Sequence, residues 1–428
     1  MLNKIRREIE FFRSHPRGMR ILLLTNLLYA LVLPIIELFI GAYIMRNSAQ
    51  VSLVVVFQLA LYTGIPLTFL INGYLLNRVA IARLYSFGML LSGISMTVMM
   101  LLGELSAAGV FAAGLIMGLS YGFFWANRDF LALETTNDGN RNYYFGLETF
   151  FYTITFILVP FFAGVFIATT ERQGWFGDQV NVAYYLLTGL VFLLTILASV
   201  LVHRGNFSNP RKAPFVFFRF NKLWNKMLKL AALKGVAQGY IVTAPVMLIM
   251  KLVGEEGELG VIQSAGAFLS AILLYLLGRA AQPGHRLAIF TAGLSIFALG
   301  ALFNAALYSS FGVILFVLCL IFARPLLDVA YFPIQLKVID IVAARERRNQ
   351  FAYIFNHELG LYAGRLFGCG LFILLAYYAS DELALRYALA VIALIQLLSV
   401  FVAKSILRDT RQDEEMAEKQ EAALLEAP

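Results

Sequence analysis

Charge is scarce in this sequence. Only 14% of its 428 residues are Asp, Glu, Lys or Arg, where soluble domains carry about 25%. That excludes an ordinary soluble globular protein. Cysteine is nearly absent: Cys319 and Cys369 both lie in apolar runs and read as buried thiols, so no disulfide framework is expected. The four histidines have no metal-ligand spacing, and no metal site is expected. No G-x-x-x-x-G-K-[ST] stretch occurs, which excludes direct nucleotide hydrolysis of that type. No nucleophile–base pair stands at recognisable spacing either, so neither an enzyme nor a cofactor is expected. Residues 1–20 lack the apolar core of a cleavable signal peptide, because Lys4, Arg6, Arg7, Arg13 and Arg17 interrupt them.

What is present is apolar. Hydrophobic residues make up 60% of the chain, with a mean hydropathy of +0.76, spread over nearly its whole length. A soluble protein with one anchor would concentrate them, so the class is a polytopic all-α membrane protein. About 20 apolar residues cross a bilayer as a helix. That length predicts twelve spans: 21–45, 51–76, 81–102, 107–134, 144–168, 182–203, 228–250, 258–280, 287–308, 312–340, 351–378 and 382–404. An even count behind a basic N-terminus puts both ends on the cytoplasmic side of the cell membrane. Loop charge agrees: 25 Lys and Arg fall on the proposed inside, and three (Arg46, Arg172 and Lys251) on the outside. The net charge of +8 is therefore topological and does not point to nucleic acid. Leu2, Ile5, Ile9 and Phe12 recur at helical spacing among the N-terminal charges, the pattern of an interfacial helix.

The basic loop around 204–229, with the turn-rich run Asn209-Pro210-Arg211-Lys212-Ala213-Pro214, splits the spans six and six. The predicted organisation is a six-helix bundle over 1–204, a linker over 205–227, a second bundle over 228–408 and a cytoplasmic tail over 409–428. The halves echo one another. A shift of 208 residues carries Asn127 to Gln335 and Glu148 to Asn356, and Gly73…Arg78…Arg83 has its partner in Gly278-Arg279…Arg286. Together these echoes indicate two parallel, pseudo-symmetric repeats.

Six plus six helices, a basic central loop and a glycine–arginine turn after the second helix resemble the major facilitator superfamily. The turn reads Gly73-Tyr74-Leu75-Leu76-Asn77-Arg78 and then Arg83, with Asn77 where that family places an acid. Val159-Pro160-Phe161-Phe162-Ala163-Gly164 keeps one proline and one glycine of the family's exporter signature, so export is not supported. The resemblance implies that helices one, four, seven and ten line a cavity, that two, five, eight and eleven flank it, and that three, six, nine and twelve face lipid. It also matches Arg128 to an arginine of the family's fourth helix.

Ionisable residues inside spans are costly and mark functional sites by default. On the tenth span Arg324, Asp328, Tyr331 and Gln335 fall at i, i+4, i+7 and i+11, which is one helical face. Arg324 lies about 18 Å along that helix, near mid-membrane. There it suits an anionic group, with Asp328 pairing with it or exchanging a proton. The competing reading is a permanent Arg–Asp pair that locks packing. On the first span Asn26 and Tyr29 share a stripe with Glu37, beyond Pro34. On the fourth, Tyr121, Trp125 and Arg128 share a face, whereas Arg128 and Asp129 are about 100° apart and need not pair. Asn26, Tyr29, Tyr121, Trp125 and Arg128 therefore join the tenth-span residues as candidate substrate contacts. Glu37, Asp328, Asp129, Glu148 and Glu358 are candidate proton carriers. Arg78, Arg83, Lys337, Asp340 and His357 are candidate gate residues at the inner side. Glu358, Tyr362 and Arg365 share a face and suit a pair. Gly114, Gly118 and Gly122 form a small-residue seam for close helix packing.

The expected function is secondary active transport of a small organic anion or zwitterion, proton-coupled, by a monomer working through alternating access. The alternative is a multidrug or metabolite exporter. From another class comes a non-transporting sensor or assembly protein on the same fold, whose mark would be a sealed Arg324–Asp328 pair.

Overall fold

The computed structural model describes the chain except residues 1, 49, 138, 139, 178, 180, 210–215, 218, 281 and 426–428. Parts of the polar loop 137–142 and of the linker turn 209–214 thus lie outside the described residues, as does the side chain of Arg279. Twelve helices among the described residues are long and apolar enough to cross a membrane. They are Arg17–Asn47, Ser52–Leu75, Ile81–Leu101, Ala107–Ala132, Tyr143–Arg172, Val182–Val202, Lys222–Leu252, Glu256–Leu277, Arg286–Leu307, Ser310–Glu346, Ala352–Tyr378 and Asp381–Asp413. This is the all-α, twelve-span architecture expected from hydropathy.

Local chemistry sets several of the starts. The side chains of Ser106, Asn221, Ser309 and Ser380 accept hydrogen bonds from backbone N–H groups three residues on, satisfying orphan donors of the fourth, seventh, tenth and twelfth spans. Proline sets the breaks. The first span runs as an α-helix to Pro34, passes through a π-helical turn at Ile35–Phe39 and resumes at Ile40–Asn47. Glu37 sits on that turn and is exposed while its neighbours are buried. The seventh span runs from Lys222 to Ile241, breaks, and restarts as Ala244–Leu252 with Pro245 in its first turn. The tenth continues unbroken through Pro325 and Pro333 and extends to Glu346, well beyond its expected end.

The chain forms two compact units. One comprises Met1–Lys212 with Thr243–Phe268, the other Ala213–Val242 with Leu269–Pro428. The boundary at 242–243 coincides with the break in the seventh span. In the first unit the second and fourth spans meet along a glycine seam. A Cβ at Gly118 would strike the Leu61 carbonyl, and one at Gly114 would stand 2.5 Å from the Phe57 oxygen. In the second unit the seventh and eleventh spans meet the same way, with Gly235 facing Leu361 and Gly364 facing the carbonyl of Ala232. Small residues let backbones approach where lipid offers no hydrophobic drive. The core of the second unit gathers Trp224, Met227, Leu294, Tyr331, Val338 and Tyr353.

The linker is pinned at both ends. Asn209 Nδ2 donates to the carbonyls of Leu76 (2.7 Å) and Val79 (2.8 Å) of the first unit. In the second unit Arg348 donates to the Arg219 carbonyl at 2.6 Å.

Candidate functional site

In the second unit a cavity of about 250 Å³ is walled by the seventh, ninth, tenth and twelfth spans. Its polar groups are Lys234, Gln238, Arg324, Asp328, Tyr331 and Gln396. The apolar walls include Phe290 and Phe297 of the ninth span, so this helix and the twelfth do not only face lipid as the resemblance implied. In a continuous helix the Ile241 carbonyl would accept from the N–H of residue 245, but Pro245 has none. That oxygen is left for another donor, and Arg324 Nη2 donates to it at 3.1 Å. The orphan created by Pro325 is met likewise: Ser270 donates to the Ile321 carbonyl at 3.1 Å. Arg324 is exposed, and its charge acts on Asp328 one turn along the same helix.

Lys234 is the residue that reasoning from sequence missed. Its ammonium lies 3.7 Å from Asp328 Oδ1, 3.9 Å from the centre of the Tyr331 ring and 4.3 Å from that of Phe332. Asp328 therefore has a cation from another helix close by, besides Arg324. The Tyr331 hydroxyl shares a 2.7 Å hydrogen bond with His357 Nε2. His357 is buried, and Tyr331, its partner, lines the cavity. Glu358 and Arg365 pair at 3.0 Å, as their shared face suggested, and Arg365 also donates to Gln238 Oε1 at 3.1 and 3.0 Å. Gln335 does not line the cavity; its Oε1 is buried without a hydrogen-bond partner among the described residues.

The first unit holds a second polar cluster of a different kind. Glu148, 1% exposed, accepts from Asn26 Nδ2 at 2.6 Å, from the Tyr144 hydroxyl at 3.1 Å and from Arg128 Nε at 2.9 Å. A second, very short contact joins Arg128 Nη2 to the other Glu148 oxygen. The Tyr85 hydroxyl, from the third span, donates to Asn26 Oδ1 at 2.5 Å. Arg128 also pairs with Asp129 at 2.7 Å, which the sequence reading did not require: the long guanidinium side chain reaches its neighbour despite their angular separation. Trp125 stands 5.8 Å below the Arg128 guanidinium. Asn26 and Tyr29 are fully buried, and Tyr29 packs on Phe124 at 4.1 Å with its hydroxyl 3.4 Å from Ser120. Tyr121 is buried with no hydroxyl partner among the described residues. All three of these candidate contacts are thus buried.

Among the gate candidates, Arg78 and Arg83 are exposed, and the turn that carries them is held by Asn209 rather than by an acid. Asp340 is exposed and accepts from Gln350 at 3.0 Å, and Lys337 is half-buried. A tighter ionic cluster lies within the first unit, at the C-terminal end of the first span. Arg46 meets Glu256 in a bidentate pair at 2.7 and 2.6 Å and donates to Glu171 at 2.9 Å. The Tyr184 hydroxyl donates to Glu256 as well. Glu171, Glu255 and Glu256 bring carboxylate oxygens within 4.8 Å of one another, around that guanidinium. Nothing local in the sequence links Arg46 to an acid 210 positions away.

A twelve-helix chain with charged groups inside the spans and a proline-broken helix at a cavity has its match among known families. The profile of the Major Facilitator Superfamily matches residues 21–368. The chain belongs to this superfamily. It is a multi-pass membrane protein of a secondary-transporter family, not a member of an enzyme family. The uncharacterized protein YqgE of Bacillus subtilis is 23% identical over 397 residues, spanning 91% of this chain and 90% of its own. Among solved structures, a POT family transporter in complex with 5-aminolevulinic acid covers 92% of this transporter and 97% of its own chain, at 12% identity and a TM-score of 0.66. A bacterial homolog of the human lysosomal transporter Spinster, inward-facing and unoccupied, covers 94% and 98%, at 12% identity and a TM-score of 0.61. At that identity the likeness is one of fold.

Proposed function

We propose that this transporter moves a small organic anion or zwitterion across the cell membrane by alternating access, coupled to protons, and that the solute binds in the cavity of the second unit. The observation that carries this reading is the exposed Arg324 guanidinium, set at the broken seventh span beside Asp328 and Lys234 in a cavity of about 250 Å³. Broken helices inside a membrane occur where backbone lines a binding site or is buried in protein. Guanidinium groups recognise carboxylates with paired donors. Asp328, with 48% of its side chain exposed, and Glu37 on its π-helical turn are the carboxyls we assign to proton coupling. Glu148 is enclosed by four donor contacts, and we assign it to structure. The loop-charge asymmetry supports cytoplasmic termini.

The test is a thermal-shift screen of purified protein against small anions, zwitterions and hydrophobic cations. A ligand present at 100 times its Kd stabilises the native state by about 2.7 kcal/mol. Stabilisation by anions or zwitterions that disappears in Arg324→Ala is expected. Stabilisation by hydrophobic cations that survives this substitution would replace the reading with a multidrug one. For coupling, uptake into proteoliposomes should lose its response to an imposed pH gradient in Asp328→Asn or Glu37→Gln. An unaltered response in both variants would end the proton assignment.

A further inference from the structure

The Lys234 ammonium occupies a site built for an ammonium ion. One carboxylate oxygen, Asp328 Oδ1, lies 3.7 Å away, and two ring faces, Tyr331 and Phe332, lie at 3.9 and 4.3 Å. A carboxylate plus aromatic faces is the recognition chemistry of alkylammonium groups in general. The Lys–Asp contact is also loose. Buried pairs that hold structure here are closer, such as Arg46–Glu256 at 2.6 Å and Arg365–Glu358 at 3.0 Å. At 3.7 Å the lysine is held by charge and ring contact rather than by a direct hydrogen bond. The second cation, Arg324, sits one helical turn from Asp328 and reaches the same cavity. Ile241, Phe290, Phe297 and Leu327 give the same cavity apolar walls. A volume of about 250 Å³ falls just under the roughly 300–1,000 Å³ of pockets for drug-sized ligands, so it suits a smaller solute.

We propose that Lys234 is a resident stand-in for the ammonium group of the substrate, and that the substrate is a small zwitterion with an apolar side chain. Its carboxylate meets Arg324, its ammonium displaces Lys234 from Asp328 and the Tyr331 ring, and its side chain lies on Phe290 and Phe297. This inference rests on the reading of the cavity as the solute site. A tethered amine has an effective concentration of order millimolar or higher at its own subsite. A bare amine must overcome that competition with one charged contact, whereas a zwitterion gains Arg324 as well. The lysine thus selects against simple cations, and it keeps Asp328 and the rings engaged when no solute is present.

Three matched probes test this on the full chain in nanodiscs by calorimetry: leucine, isopentylamine (leucine without its carboxyl) and 4-methylpentanoate (leucine without its amine). Wild type is expected to bind leucine best and isopentylamine worst. Lys234→Met should raise the affinity for isopentylamine by at least about tenfold, since the binding-competent fraction is no longer reduced by the lysine. The gain should vanish in the Lys234→Met/Asp328→Asn double variant, and Lys234→Arg should show none. Lys234→Gln repeats the test if the Met variant does not insert. Unchanged or weaker isopentylamine binding in Lys234→Met, or a gain that persists without the Asp328 charge, overturns the proposal. The underlying reading is judged separately, by whether 4-methylpentanoate binding to wild type is lost in Arg324→Ala.

Discussion

The two units each bury charge, and they do so to opposite ends. In the first, every oxygen of Glu148 is met: Arg128, Asn26 and Tyr144 close around it, and Tyr85 braces Asn26 from behind. Glu148 itself is 1% exposed. In the second, Asp328 keeps 48% of its side chain exposed, its lysine stands off at 3.7 Å, and Arg324 reaches a helix carbonyl freed by Pro245. A fully satisfied buried network rigidifies and specifies packing. A loosely met one beside a cavity leaves interaction energy available for a ligand. Span-interior charge alone does not distinguish these cases. What distinguishes them is how far the carboxylate is enclosed: Glu148 is 1% exposed, and 48% of the Asp328 side chain is exposed.

That contrast can be broken most severely at Glu148. Glu148→Ala removes the buried carboxylate from Arg128 and leaves it Asp129, which is 58% exposed; removing one member of a buried pair costs about 3–5 kcal/mol. The loss should appear as a lowered denaturation midpoint in detergent. Asp328→Ala should cost less than this, because 48% of the Asp328 side chain is exposed where Glu148 is 1% exposed. Equal losses at the two sites would erase the distinction.

The glycine seams give the next largest effect. Gly364→Ala drives a methyl group into the Ala232 carbonyl and should destabilise by about 1–3 kcal/mol. Gly370→Ala on the same helix meets no atom within 4 Å and should be neutral, or stabilising by about 0.5–1 kcal/mol. Thermal unfolding of the pair checks both signs.

The smallest effect is expected at Tyr121. Its buried hydroxyl has no partner among the described residues, so Tyr121→Phe should leave stability unchanged or raise it by about 1 kcal/mol, with ligand affinity intact. A loss of affinity there would return the fourth span to the solute site.

Much of this was legible in the sequence because it is local. Hydropathy marks the spans, and the i, i+4, i+7 spacing of Arg324, Asp328 and Tyr331 places them on one face, where three of them line the cavity. The Glu358–Arg365 pair follows from the same periodicity. Lys234 lies inside the predicted span 228–250 but follows Lys226 and Lys229, and no acid on its own helix marks it as paired. The seventh span in fact begins at Lys222, which puts Lys234 well inside it. The freed Ile241 carbonyl is encoded by Pro245 four residues on, a signal present in the sequence, yet its acceptor role needs Arg324 from another helix. Contacts such as Asn26 with Glu148, 122 positions apart, and Arg46 with Glu256, 210 apart, are set by helix packing and leave no mark in either neighbourhood.

We propose that solute binds in the second unit and not at the polar cluster of the first. Photolabelling tests it most directly. A diazirine analogue of leucine, activated on the full-length protein in nanodiscs and mapped by peptide mass spectrometry, should mark residues lining the cavity, around 234–242, 290–297 and 324–331. Excess leucine should suppress those adducts. Adducts that are confined to the neighbourhood of Asn26 and to 121–152, and are suppressed by the same competitor, would contradict the account.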